Sequence, residues 1–218
     1  MNAQEVEVVI LIADLCGYTA LTEAHGNVQA ANAVTRYAEI ARAALAPGVR
    51  LVERVGDEVV IAAADAASAV RTAIALHDAI EREPLFPTLR SGIHAGSAVL
   101  QGDSYFGSAL NLAARVAAHA RAGQILCTEP VTILAAGLAG VVYQPLGSVR
   151  FKNIVDPIPV FELIAGRHSS ESTLIDPVCR MQVRPEGAPA RLPFGGRTYY
   201  FCSFECARAF AARPEQYT

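Results

Sequence analysis

The amino-acid sequence predicts an α+β fold, a ferredoxin-like sandwich with helices on one face of a mainly antiparallel sheet, followed by a small cysteine-containing module. Three observations carry that reading. Strand-helix-strand and strand-strand-helix units alternate from the N-terminus to about residue 164, the order such sandwiches use. Two Val-rich runs flank Gly56-Asp57 in LVERVGDEVVIAAA, Leu51 to Ala64, which reads as a β-hairpin with Asp57 at its tip. After the small, polar, aperiodic stretch Gly166 to Ser172, three of the five cysteines fall in the last forty residues, so the tail reads as a separate unit behind a linker.

Each element has a local cause. VEVVILIAD, Val6 to Asp14, is an apolar strand that stops at a carboxylate just before Cys16-Gly17. GYTALTEAHG starts a short helix, and Val34, Tyr37, Ala38, Ala41 and Leu45 recur at helical spacing between Asn27 and Ala46 until Pro47-Gly48 stops them. The hairpin follows. Asp65 to Glu83 carries Val70, Ala73, Ile74, His77 and Ile80 on one stripe, closed by Pro84 and Pro87. LRSGIHAGSAVL, Leu89 to Leu100, is a strand with a glycine-containing bend, and Gln101 to Gly107 is a polar loop. Ser108 to Ala122 returns to helix, Gln124 to Cys127 is a strand and Pro130 to Ala136 a short helix. Val149 to Phe161 gives two short strands parted by Asp156-Pro157.

The chain has 218 residues, 52% hydrophobic and 18% charged, enough to bury a sizeable core. Its formal charge is -3 and no stretch concentrates Lys and Arg, so no nucleic-acid partner is expected. MNAQEVEVV lacks the basic flank and apolar core of a signal peptide, and no apolar run is long enough to cross a bilayer. A soluble, cytoplasmic protein with no membrane partner is expected. Isolated Cys16 and Cys127 read as small packing residues, and His94 and His77 as core or interface.

IADLCGYT (Ile12 to Thr19) and VGDEVV (Val55 to Val60) resemble the class III nucleotidyl cyclase domain of adenylate and guanylate cyclases. QGDSYFGSALNLAARV, Gln101 to Val116, is similar to that family's loop and helix ending in Asn-x-x-x-Arg, here Asn111 and Arg115. Gly92 to Gly96 and RFKNIVDPIPVFEL also resemble family segments, in the expected order. The resemblance implies a class III cyclase type of sandwich at residues 1–165, with a linker at 166–174. It implies that Asp14 and Asp57 hold Mg2+ or Mn2+, two ions per active site, as hard cations favour oxygen ligands. It further implies that Asn111 orients the ribose, that Arg115 meets developing phosphoryl charge, and that Lys152 contacts the terminal phosphate. In this family the site lies between two domains, so a homodimer acting on a nucleoside triphosphate is implied.

Base choice turns on Glu53 and Ser104. Adenylate cyclases of the family usually carry Lys four residues before the hairpin Asp, where this chain has Glu53. A carboxylate only accepts hydrogen bonds, and guanine offers two adjacent donors, N1–H and the N2 amine. The expectation is therefore a guanylate cyclase in preference to an adenylate cyclase. Ser104 can donate or accept and decides little, and a one-residue slip would put Asp103 there.

DPVCRM, GGRTYYFCSFECARAF and the closing Pro214-x-x-Tyr217 resemble a YHS domain, at residues 175–218. So small a module usually needs a staple. Cys179, Cys202 and Cys206, spaced C-x22-C-x3-C, could converge on Zn2+ or Cu+. Asp176, His168 or a partner could complete the set. The expectation is a cyclase regulated by metal at its tail; the alternative is a catalytically weak cyclase-like dimer acting as a metal-responsive binding protein.

Overall fold

The computed structural model describes residues 3–166 and 173–218. His168 and all but the first residue of the Gly166–Ser172 stretch lie outside the described residues. In chain order the elements are β1 (Ala3–Leu15), α1 (Tyr18–Ala43), β2 (Val49–Val55), β3 (Glu58–Ala63), α2 (Ala66–Arg82), β4 (Leu89–Gln101), β5 (Ser104–Phe106) and α3 (Ser108–His119). Then come β6 (Ile125–Thr128), α4 (Glu129–Leu134), β7 (Val141–Val149) and β8 (Ile158–Ala165). The tail adds β9 (Leu174–Ile175), β10 (Gln182–Val183), β11 (Ala190–Phe194), β12 (Arg197–Phe201) and α5 (Phe204–Ala212).

The main sheet runs β2-β3-β1-β4-β6-β8-β7, with β5 paired to β4. Every pairing in it is antiparallel except β4 with β6, so the mixed α+β class holds. Strand alternation splits the central β1 between two layers. Val9, Leu11, Ala13 and Leu15 pack with α1, α2 and α4 in the larger core, whereas Val8, Ile10 and Ile12 pack with Ala109, Ala113 and Ala117 of α3. Helices thus cover both faces rather than one. Gly92 permits this: a Cβ there would strike the backbone N of Ala117 and stand 2.7 Å from the carbonyl of Ala113.

Three local departures have physical causes. The two helices expected before Pro47 are one element broken at Gly26, whose φ of 81° and ψ of 167° are non-helical. Gln101 to Gly107 is a hairpin rather than a loop, because Gly102 at φ 62° makes the turn that brings Ser104 opposite Gln101. Val141–Val149 is a strand the sequence hides. Its Pro145 and Gly147 flank a register shift on the outermost strand, the position where a sheet tolerates proline.

The tail folds as two small hairpins and α5 around Phe210, against which Phe194, Tyr199, Phe201 and Tyr217 pack. It docks on the main domain. Leu21 and Ala30 of α1 share one apolar cluster with Cys179, Met181, Phe201 and Phe210, and full burial of Leu21 contributes about 1.5–3 kcal/mol. Gln182 adds backbone and side-chain bonds: its N–H donates to Phe86 O at 2.9 Å and its Nε2 to Ile80 O and Phe86 O at 3.3 Å each. Among the described residues no helix is long and apolar enough to cross a membrane.

Candidate active site

Asp14 sits at the end of β1, where the register places it opposite Glu58 on β3 and Arg90 on β4. The β2–β3 turn brings Asp57 to the same place. Gly56 takes the left-handed conformation the turn needs (φ 61°), and Leu15 N–H donates to Asp57 O at 3.2 Å, tying the tip to the strand end. Burial, and after it the neighbouring Asp14 charge, pushes the Asp57 carboxyl above its ordinary range, and Glu58 moves the same way for the same reasons. Beneath them the buried Tyr37 hydroxyl donates to Ala13 O at 2.8 Å, its own pKa driven well up by burial and then by these carboxylates. A half-buried group of three carboxylates favours a cation, and hard oxygen donors suit Mg2+ or Mn2+.

Arg90 is a cation already there. Its Nε and Nη2 donate to the same oxygen, Oδ2 of Asp14, at 2.8 and 2.6 Å. Burial works against the guanidinium, but Asp14 outweighs it and the Arg90 pKa is raised. Neither Arg90 nor Glu58 stands out in the sequence as a site residue; only the strand register aligns them with Asp14.

Glu53 is exposed on β2 just past a register shift at Val52. Bulges re-aim the following side chains, and this one pairs Glu53 with Val60, on the sheet face that Asp14 and Ile12 share. The β4–β5 hairpin reaches the same strand. Arg50 donates from Nη2 to Tyr105 Oη at 3.1 Å, lies 5.2 Å from that ring's centre, and has Nη1 3.6 Å from Asp103 Oδ1. The two base-reading candidates, Glu53 and Ser104, therefore sit on elements joined by Arg50. Asn111 is exposed and Arg115 half-buried on α3, away from the face formed by Ala109, Ala113 and Ala117 that packs on the sheet. Lys152 is exposed in the β7–β8 loop. Phe151 pins that loop to the end of α3 through Val116 and Ala120 and an edge-on contact with His119 at 5.8 Å.

The tail cysteines converge. Cys179 Sγ is 3.3 Å from Cys202 Sγ, and Cys202 Sγ is 3.7 Å from Cys206 Sγ. Asp176 is not the fourth donor: its Oδ1 accepts from Val178 N at 2.8 Å and Cys179 N at 3.3 Å, and its Oδ2 from Cys202 N at 2.7 Å. The carboxylate is consumed in folding the loop. Instead His25 of α1 stands there, Nε2 3.4 Å from Cys202 Sγ and 3.5 Å from Cys206 Sγ. Hydrogen bonds from Cys179 and Cys202 hold the Cys206 thiol well below its ordinary range. Its place in the first turn of α5, where Cys206 N donates to Ser203 Oγ at 3.1 Å, also favours a thiolate.

Comparisons with known proteins identify the families of the two units. A family model described as the adenylate and guanylate cyclase catalytic domain matches residues 1–154, and the YHS domain model matches 174–218. A pH-sensitive adenylate cyclase from Mycobacterium tuberculosis is 34% identical over 125 residues, 57% of this chain and 32% of that protein. The chain spans about a third of the length of the first curated relatives it matches. A copper-transporting P-type ATPase from Rhizobium leguminosarum bv. viciae is 43% identical over 49 residues, 22% of this chain and 6% of that one. Among solved structures, an adenylyl cyclase from P. aeruginosa superposes with a TM-score of 0.68 at 20% identity, covering 78% of this chain and all of the other.

Proposed function

The chain belongs to the adenylate and guanylate cyclase catalytic domain family, and from that premise we propose that it is a nucleotidyl cyclase. It converts a purine nucleoside triphosphate, GTP in preference to ATP, to the 3′,5′-cyclic monophosphate and pyrophosphate. The observation that carries this reading is the meeting of Asp14 and Asp57 at one half-buried corner, made by the β1–β3 register and the Leu15–Asp57 bond. Oδ1 of Asp14 is left clear of Arg90, whose two donors both go to Oδ2. Asp14 and Asp57 would hold the divalent ions. When bound, these supply acidity at the ribose 3′-hydroxyl and neutralise triphosphate charge. The 3′-hydroxyl gives up its proton to solvent water, its oxygen attacks the α-phosphorus in line, and the bond to the pyrophosphate oxygen breaks as pyrophosphate leaves.

The outward placement of Asn111 and Arg115 on α3 supports a site completed across a homodimer. There the Asn111 amide orients the ribose, the Arg115 guanidinium stabilises the charge developing on the α-phosphoryl oxygens, and Lys152 meets the terminal phosphate. Glu53 and Ser104 read the base. Glu53 can only accept, which matches guanine N1–H and the N2 amine, whereas several of the curated relatives are named adenylate cyclases.

Product analysis of the purified chain with Mn2+ and each nucleoside triphosphate separates the cases. Cyclic GMP in excess is expected, and Asp57→Ala removes turnover without loss of fold. No cyclic product from any triphosphate would refute the enzyme and leave a metal-responsive cyclase-like dimer, which the docked thiolate cluster favours as the second reading. Cyclic AMP in excess would refute the role given to Glu53.

A further inference from the structure

We propose that His25 is the fourth ligand of a Cys3His metal site that locks the tail module onto α1, so that metal occupancy is felt by the segment leading from Asp14. This does not depend on the cyclase activity. It concerns how the two units are joined. The donor atoms of His25, Cys179, Cys202 and Cys206 all lie within 4.8 Å of one another. With Zn–S near 2.3 Å and Zn–N near 2.0–2.1 Å, a tetrahedral site has S···S edges of roughly 3.8 Å and S···N edges of roughly 3.6 Å. Four of the six edges are 3.3 and 3.7 Å between sulfurs and 3.4 and 3.5 Å from sulfur to Nε2, and the other two are within 4.8 Å. The four groups therefore already stand near the corners such an ion requires. Three sulfurs and one imidazole select a soft or borderline closed-shell ion, Zn2+ or Cu+.

His25 is placed by the fold and not by the tail. It ends the first stretch of α1, immediately before the break at Gly26, and α1 itself starts four residues after Asp14. The tail touches that connection a second time. A Cβ on Gly17, the residue before α1, would run into the Arg180 side chain, with Cγ at 2.7 Å, so the Cys179-Arg180 turn lies directly against the Asp14-to-α1 link. A bound ion would thus tie the module to the far end of a short helical stretch whose near end it already touches. Apart from the thiol cluster, that stretch meets the tail through apolar packing, with Leu21 fully buried and Tyr18 and Ala24 beside it in the cluster that holds Cys179, Met181, Phe201 and Phe210.

The test uses the full chain, loaded in separate arms with Zn2+, with Cu+ under reducing conditions, and with Co2+ as a spectroscopic substitute. Wild type is expected to bind one equivalent and to give a tetrahedral Co2+ spectrum with thiolate charge-transfer bands. Groups that only buttress ligands are worth about 10- to 100-fold in metal affinity, so losing His25 as a direct ligand should weaken binding by about 100-fold or more. His25→Ala should show that loss together with an altered Co2+ spectrum, and His25→Cys should recover affinity with added thiolate absorption. Equal affinity and identical spectra for wild type and His25→Ala would overturn the fourth-ligand assignment. Hydrogen exchange tests the coupling: metal should slow exchange across residues 15–25 in wild type and not in His25→Ala. Metal binding with unchanged exchange in that segment would overturn the link to α1. Whichever of Zn2+ or Cu+ binds more tightly identifies the ion, and binding of neither refutes the site. Because no readout requires cyclic nucleotide, an inactive enzyme and an absent metal site give different results.

Discussion

Arg90 and Asp14 face each other across β1 and β4, and the guanidinium closes on a single carboxylate oxygen through two donors at 2.8 and 2.6 Å. Both donors go to Oδ2, which fixes the direction in which the Asp14 carboxylate points. In the proposed site Arg90 acts through Asp14 and not on substrate, since its hydrogen bonds go to Asp14 and, at 3.5 Å, to the carbonyl of Ala118. Its side chain is 35% exposed, so its part in stability is small, about 1 kcal/mol or less. Arg90→Gln is expected to leave thermal unfolding nearly unchanged, to raise the Mn2+ concentration needed for half-maximal turnover, and to lower kcat/KM by about 10-fold, as a lost charge-assisted bond of ~1.4 kcal/mol implies. Arg90→Lys keeps the charge but loses the fork and should fall between the two. A metal titration identical to wild type in Arg90→Gln would show that the pair does not position Asp14.

Gly92 sets how closely α3 lies on the sheet. The atoms a Cβ would meet are backbone atoms of Ala113 and Ala117, which cannot rotate away, so α3 as a whole must lift. Gly92→Ala is expected to destabilise by about 1–3 kcal/mol through overpacking, read as a lower urea midpoint. It should also depress turnover more than binding of free metal, because Asn111 and Arg115 ride on the displaced helix. Gly96→Ala is the contrast. There the nearest atom is the His94 ring Nε2 at 2.9 Å, which can shift, so a smaller loss is expected. If both variants unfolded at the same urea concentration, close helix approach at Gly92 would not be the determining contact.

What the sequence made legible follows from how local each signal is. Asp14 announces itself as the polar end of an apolar strand and Asp57 as the tip of a Gly-Asp turn, because both are fixed by neighbours in the chain. Arg90 and Glu58 become site residues only through register, which couples Arg90 to Asp14 over a separation of 76 residues. The tail showed three cysteines at metal-ligand spacing but not their fourth partner, since His25 lies 177 residues before Cys202. It looks like any helix residue until the module docks. Gly26 beside it was the available clue, a glycine within a helical stretch, though its local effect is a kink and says nothing of the thiolates.

Burial of His94 makes the stability of the main domain depend on pH. Its ring, half-buried on β4, has Nδ1 2.7 Å from Thr128 Oγ1 on β6, and burial lowers its pKa below the ordinary histidine value. Folded chains therefore bind fewer protons than unfolded ones between the lowered value and the unfolded value of about 6.5, and stability rises with pH across that window. The contribution is complete above about pH 6.5 and is lost as pH falls through the folded pKa. On this basis the unfolding temperature should drop between pH 7.5 and 5, and His94→Gln, which cannot charge, should flatten that part of the profile while retaining a donor toward Thr128. Carboxylates whose pKa values are raised by burial, Asp57 and Glu58, act in the opposite sense, since their charged forms cost stability at neutral pH and protonation relieves it. The two contributions separate by variant. A profile that keeps its full slope in His94→Gln would assign the acid sensitivity to groups other than this histidine.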